Sequence, residues 1–205
     1  MPQQTEYPLA EVLERLSSAP ADRKICLIEG VAGSGKSTFA DSLVSRWPGQ
    51  ALHLSTDAFI RIPRTEWARR VEQGGIYLPD WYDLTQIESA LLAFGRQERI
   101  RFTNLYNLAN GQYDLDIEHI TTDLDLLVIE GLFAFDPRFT PHAQLRVFLD
   151  LKTETAKGLA RQRDLTERNL APEAFTLKEQ IYYAGYLSFV EDFRTGADIV
   201  LKRAE

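Results

Sequence analysis

Residues 30 to 37, Gly30-Val31-Ala32-Gly33-Ser34-Gly35-Lys36-Ser37, match the pattern G-x-x-x-x-G-K-[ST] without a gap. Each part of that pattern has a mechanism on a chain of phosphates. Glycines at 30, 33 and 35 reach backbone conformations closed to other residues, so N–H groups from Gly30, Ala32, Gly33, Ser34 and Gly35 can turn inward on phosphate oxygens. A helix is expected to start here, and its first amides, those of Lys36, Ser37 and Thr38, add positive potential. The Lys36 ammonium reaches the β- and γ-phosphates, and the Ser37 hydroxyl is placed to ligate Mg²⁺. The stretch is an expected ATP site.

Two acids stand at the ends of apolar runs, LLVIEG at Glu130 and LSTDAF at Asp57. Ligands of α/β sheets collect at the C-terminal ends of strands. Glu130 is the candidate second metal residue, holding Mg²⁺ through water. Asp57 is the candidate base, because phosphoryl transfer to an alcohol needs a carboxylate that orients the hydroxyl and accepts its proton. The rival role for Asp57 is a helix N-cap.

Cations come from two segments. In ARQRDLTERNL, Arg161 and Arg168 are seven residues apart and share a helix face with Asp164 between them. Arg163 points elsewhere on an ideal helix. Arginines on a mobile segment can close over a γ-phosphate, stabilise its transferring charge and exclude water. The second segment, FIRIPRTEWARR, follows Asp57 directly and holds Arg61, Arg64, Arg69 and Arg70. Arg61 and Arg64 flank Pro63 in an expected loop, and their planar forks match carboxylate or phosphate oxygens of an anionic acceptor. Arg69 and Arg70 have Glu66 and Glu72 within reach on an expected solvated helix face.

These residues need a scaffold that carries them to one place. Five apolar runs, KICLIE, ALHLST, LDLLVIE, LRVFLDL and DIVLK, read as buried parallel strands because they lack clean alternation. Helical patterns lie between them: STFADSLVSRW, TEWARRVEQ, LTQIESALLAF, TETAKGLARQRDLTERN and PEAFTLKEQIYYAGYLSFVEDF, with YPLAEVLERLSS before the first strand. The expectation is an α/β P-loop NTPase fold, a five-stranded parallel sheet covered by helices on both faces. Alternating stretches around Asn110-Gly111 predict an added β-hairpin at roughly residues 100–120. A helical lid is expected at roughly residues 157–172, within a single domain spanning residues 1–205.

Composition narrows the class. The net charge of −7 argues against a broad nucleic-acid surface. GTPases and transporter ATPases are disfavoured because neither an N-K-x-D nor an LSGGQ-like segment is present. The N-terminus lacks the basic and apolar regions of a signal peptide, and no run is long enough to span a bilayer. With Cys26 the single cysteine, no internal disulfide is available, and a cytoplasmic protein is expected. His53, His119 and His142 show no metal-ligand spacing and are read as core or surface residues. The oligomeric state stays open.

The ordered set STDAF, PDWYD, LYNLANG, VIEGLFAF, VFLDL, RDLTER and ADIVL resembles the uridine kinase and phosphoribulokinase family of P-loop kinases, from Ile25 to Leu201. The resemblance implies that Asp57 is the general base and Glu130 the strand-end acid. It implies lid arginines at Arg163 and Arg168, with Arg161 standing in for an arginine pair that is Leu159-Ala160 here. The implied activity is ATP-dependent phosphorylation of a hydroxyl on a nucleoside, sugar, sugar phosphate or small hydroxy acid. Aromatics Phe59, Tyr77, Trp81, Tyr82 and Tyr106 fall in the segments around the implied acceptor pocket, with Tyr82 and Tyr106 as candidate contacts. The chain departs from the uridine kinase pattern at Ile76-Tyr77-Leu78, where the family has Phe-Asp-His. It departs again at Gly111, where the family has a pyrimidine-contacting histidine. The alternative function is a nucleotide-binding regulator or slow ATPase acting through a protein partner.

Overall fold

The computed structural model of the chain describes residues 7–74, 77–166 and 171–203. Its strands, in chain order, are β1 (Lys24–Glu29), β2 (Ala51–Ser55), β3 (Ile100–Asn107), β4 (Gln112–His119), β5 (Leu126–Glu130), β6 (Leu145–Asp150) and β7 (Ile199–Lys202). The five expected core strands pair in parallel in the order β2-β5-β1-β6-β7. The strand leading into the glycine loop is therefore central. Register then collects the chemistry at one edge: Glu130 lies opposite Ile28 of β1 and Ser55 of β2. The loop after β1, the turn after β2 and the end of β5 emerge side by side.

Alternate side chains of each strand feed two apolar layers. Cys26, Ile28, Val128 and Val147 pack on one face with Val12 and Leu16 of α1 (Leu9–Ser18) and Phe39 and Leu43 of α2 (Lys36–Arg46). Leu27, Leu127, Ile129 and Leu54 pack on the other. They meet Trp67 of α3 (Arg64–Glu72), and Ile87, Leu91 and Phe94 of α4 (Leu84–Gly95). Truncating a fully buried leucine such as Leu27 to alanine costs about 2–5 kcal/mol. Cys26 is a core residue as expected; burial pushes its thiol up. Helix α4 is N-capped by the Asp83 of PDWYD, whose carboxylate accepts from Gln86 N and Gln86 Nε2. No described helix is long and apolar enough to cross a membrane.

Strands β3 and β4 form the expected hairpin as a separate two-stranded sheet. Residues 108–111 turn the chain, closed by Asn107 and Asn110 side chains donating to Asp114. Phe102 packs edge-on against Phe59, 5.2 Å between centroids, which fixes the hairpin beside the turn after β2.

The segment 172–193, expected as one helix, is not continuous. It runs as α6 (Pro172–Tyr186), a 3₁₀ turn at Leu187–Phe189, and α7 (Val190–Thr195). Packing overrides periodicity here: the break lets Tyr186, Phe189 and Phe193 surround Phe133 at 5.8, 5.4 and 6.2 Å. Before α6 comes α5 (Thr153–Thr166). The expected lid therefore falls on the end of α5 and the start of α6, and its residues 167–170 lie outside the described residues.

Gly33 has φ +89°, and a Cβ on it would lie 2.2 Å from the Ala156 carbonyl oxygen of α5. Both the dihedral and the close approach exclude a side chain. Gly33→Ala should therefore lower stability by at least about 1 kcal/mol, read as a fall in Tm. An unchanged Tm would mean that the loop does not hold this conformation against α5.

Candidate active site

Helix α2 begins directly at Lys36. Its ammonium folds back on the loop, donating to the Gly30 and Val31 carbonyls at 2.7 and 3.1 Å. Ala32, Gly33, Gly35, Lys36, Ser37 and Thr38 line a cavity. The other two loop candidates, Gly30 and Ser34, build its frame. Gly30 supplies the carbonyl that holds Lys36, and the buried Ser34 takes the Tyr7 hydroxyl on its carbonyl at 3.0 Å.

Across the cavity from the loop stand the two acids. Ser37 Oγ donates to Glu130 Oε1 at 3.0 Å. Burial opposes the Glu130 charge, but hydrogen bonds from His53 and Ser55 and the charge of Lys36 hold its carboxyl below the usual range. An ionised carboxylate beside a serine hydroxyl is a hard-oxygen pair that fits Mg²⁺, a cation that keeps several waters and needs few protein ligands. His53, expected only as a core or surface residue, holds that carboxylate. Its Nε2 lies 3.4 Å from Glu130 Oε1, and its Nδ1 lies 2.9 Å from Asp41 Oδ1. Burial disfavours the charged ring, but Glu130 and Asp41 outweigh it and raise its pKa.

Asp57 sits inside a 3₁₀ turn, Thr56–Phe59, that follows β2. The cap of that turn is Ser55, whose Oγ accepts from Asp57 N at 3.3 Å. The N-cap position thus belongs to Ser55, and the half-buried Asp57 lines the cavity.

Of the candidate arginines in the lid, Arg163 lines the cavity and Arg161 does not. Arg161 is exposed on α5, its guanidinium 5.7 Å from the Phe175 ring centre. The two guanidinium groups diverge through their contacts: Arg163 turns to the fully buried Asp164, whereas Arg161 lies against Phe175. Arg168 lies outside the described residues. Arg61 is exposed and Arg64 is not in a loop; it opens α3 and donates to the Leu108 carbonyl at 2.7 Å. Glu66 takes both Arg69 and Arg70, at 2.8 and 3.6 Å, as on a solvated face. Tyr82 and Tyr106 are buried at 3% and 1%, and the cavity wall at that end is Leu108 and Tyr182 instead.

Helix α6 carries the residues that sequence reasoning missed. Lys178 and Tyr182 line the cavity. The Tyr183 hydroxyl donates to the Ala32 carbonyl at 2.6 Å, and the Tyr186 hydroxyl to Glu29 Oε1 at 2.7 Å. The spacing Lys178, Tyr182, Tyr186 at every fourth position, with Tyr183 beside it, was a visible signal of one polar-tipped helix face.

A glycine cradle at the end of a central parallel strand, with an acid at each of two neighbouring strand ends, defines a P-loop phosphotransferase. The sequence profile of the Phosphoribulokinase / Uridine kinase family matches residues 25–205, and the chain belongs to that family of ATP-dependent small-molecule kinases. A uridine kinase of Ureaplasma parvum serovar 3 is 24% identical over 180 residues, 85% of this chain and 86% of its own. The phosphoribulokinase of Rhodobacter spheroides superposes with a TM-score of 0.66 at 20% identity, covering 88% of this chain and 70% of its own. D-glycerate 3-kinase from Cryptococcus neoformans var. grubii gives 0.57 at 14%, covering 90% of this chain and 86% of its own. At these identities the two structures speak for the fold.

Beneath the loop, Glu29 is fully buried. Its carboxylate accepts from Gly30 N at 3.0 Å, Phe135 N at 3.4 Å and Tyr186 Oη. Burial pushes its pKa from the usual 4.5 up to about 7, against the opposing effects of Lys36 and these hydrogen bonds. The folded state therefore holds a proton that the unfolded chain releases. This stabilisation is full below 4.5 and is lost as pH rises through about 7. Relative to Glu29→Gln, the wild type should lose about 2–3 kcal/mol of unfolding free energy between about pH 4 and about pH 8, measured by urea melts. Equal slopes in the two proteins would remove Glu29 as the source.

Proposed function

We propose that the chain transfers the γ-phosphoryl group of ATP to a hydroxyl of a small anionic acceptor, with Asp57 as base. The observation that carries the reading is the shared cavity: Asp57 lines it together with Lys36, Ser37, Glu130 and Arg163. The acceptor oxygen forms its bond to the γ-phosphorus as the bond to the bridging oxygen of ADP breaks, and the hydroxyl proton passes to Asp57. Lys36 leaves the loop carbonyls for phosphate oxygens. Arg163 balances charge on the group in transit. Ser37 and Glu130 would hold Mg²⁺, which when bound supplies charge neutralisation on the phosphates.

The anionic character of the acceptor rests on Arg64. Among the described residues it has a carbonyl partner and an aromatic neighbour, Tyr106 at 6.0 Å, and no carboxylate. Its charge acts on Tyr182, as does that of Asp57, so a partly buried guanidinium stands at the same end as the base. A Cβ on Gly111, at φ +75°, would meet Arg64 Cδ at 3.1 Å. The space that a nucleobase-reading side chain at 111 would need is thus held by an arginine. The phosphoribulokinase and D-glycerate kinase relatives are named for anionic acceptors.

Asp57→Asn should leave ATP affinity near wild type and lower kcat by roughly 10²–10⁴. Near-normal turnover would remove Asp57 as the base. In a coupled assay over neutral and anionic alcohols, turnover should favour anionic ones, with a KM that rises with salt. Arg64→Gln should raise that KM by at least about tenfold with ATP binding unchanged. Efficient phosphorylation of an uncharged nucleoside or sugar, indifferent to Arg64, would sink the anionic reading.

A further inference from the structure

Lys178 is a cation in the cavity that neither the loop nor the lid accounts for. Its side chain is 15% exposed, and its Nζ pairs with the fully buried Asp164 of α5. Arg163 Nε pairs with the same carboxylate at 3.1 Å. Two cations thus share one carboxylate at the wall of a phosphate-binding cavity. A buried lysine–carboxylate pair is weak support for a fold, since apolar residues of similar volume often do as well. Its retention at this wall has a reason in what enters the cavity.

The position of Lys178 is fixed relative to the loop. Tyr183 and Tyr186, one and two turns further along α6, are hydrogen-bonded to Ala32 O and to Glu29 beneath the loop. Tyr182, whose ring centre is 5.8 Å from Lys178 Nζ, lines the same cavity and feels the charge of Asp57. Lys178 therefore has the phosphate cradle on one side and the acceptor end on the other. An ammonium carries three N–H donors, and the pair with Asp164 commits one of them.

We infer that Lys178 is a further catalytic residue, which donates to the oxygens of the γ-phosphoryl group as it passes from ATP to the acceptor. The inference rests on the phosphotransferase reading above. Asp164 is the positioning residue that holds Lys178 and Arg163 ready. The ammonium keeps its proton throughout; the hydroxyl proton goes to Asp57, and the leaving electrons go to the ADP oxygen. A cation so placed discriminates a nucleotide with a γ-phosphate from one without.

The test needs no acceptor. Calorimetric titration in magnesium compares ADP with the β,γ-imido analogue of ATP. Lys178→Gln should weaken the analogue by about tenfold or more while ADP stays within about twofold, and Lys178→Arg should recover most of the loss. Asp164→Asn/Lys178→Gln removes both charges of the pair, so it controls for the fold in the single variant, where Asp164 keeps Arg163 but loses its lysine. The loss confined to the analogue should persist in it. Equal losses for both nucleotides, no loss for either, or full analogue affinity in the double variant would each overturn the role of Lys178. A wild-type protein that binds neither nucleotide would overturn the phosphotransferase reading itself, and this inference with it.

Discussion

The register of three neighbouring parallel strands is the constraint on which the site depends. Because Ile28, Ser55 and Glu130 lie side by side across β1, β2 and β5, the loop after β1, the turn bearing Asp57 and the carboxylate of Glu130 emerge together. In a strand every second residue faces the same way, so a slip of one residue would send Glu130 to the other side of the sheet. The fully buried, two-sided strands forbid that slip: Leu27, Ile28, Val128 and Ile129 have apolar partners on both faces. Core packing thereby sets distances between polar groups that share no contact in sequence.

The charges of the site are satisfied internally. Lys36 rests on loop carbonyls, Glu130 on Ser37 and His53, and Arg163 and Lys178 on Asp164. Each of these is an exchangeable partner. A phosphate chain offers oxygens to the N–H donors of Lys36, Arg163 and Lys178, so binding can draw on donors that are already ordered.

Most of the donor half of the site was legible in the sequence because it is local. Eight residues carry the cradle, and the strand before and helix after them follow from apolar period. Glu130 and Asp57 were readable as strand ends. The acceptor half was not, because it is assembled from tertiary contacts. No spacing rule announces that Arg64 will cross to Leu108, or that Tyr182 will form the wall in place of Tyr82 and Tyr106. Arg161 and Arg163 are separated by tertiary contacts as well: the first lies over the Phe175 ring and the second pairs with Asp164, neither of which a helix wheel shows. His53 was missed because its partners, Asp41 on α2 and Glu130 on β5, are distant in sequence and meet it only in the folded sheet.

Helix α6 serves two parts of the site. Its tyrosines grip the underside of the loop through Ala32 and Glu29, so the helix is tied to the phosphate cradle. Lys178 and Tyr182 on the same helix line the cavity itself. The hairpin is similarly divided: Phe102 fixes it against Phe59, whereas Leu108 and Gly111 at its turn meet the cavity wall and Arg64. Residues 64, 111 and 182 lie apart from the strands that align the loop with its two acids. The alignment of the loop with Asp57 and Glu130 is secured separately from the cavity wall, in the register of the sheet.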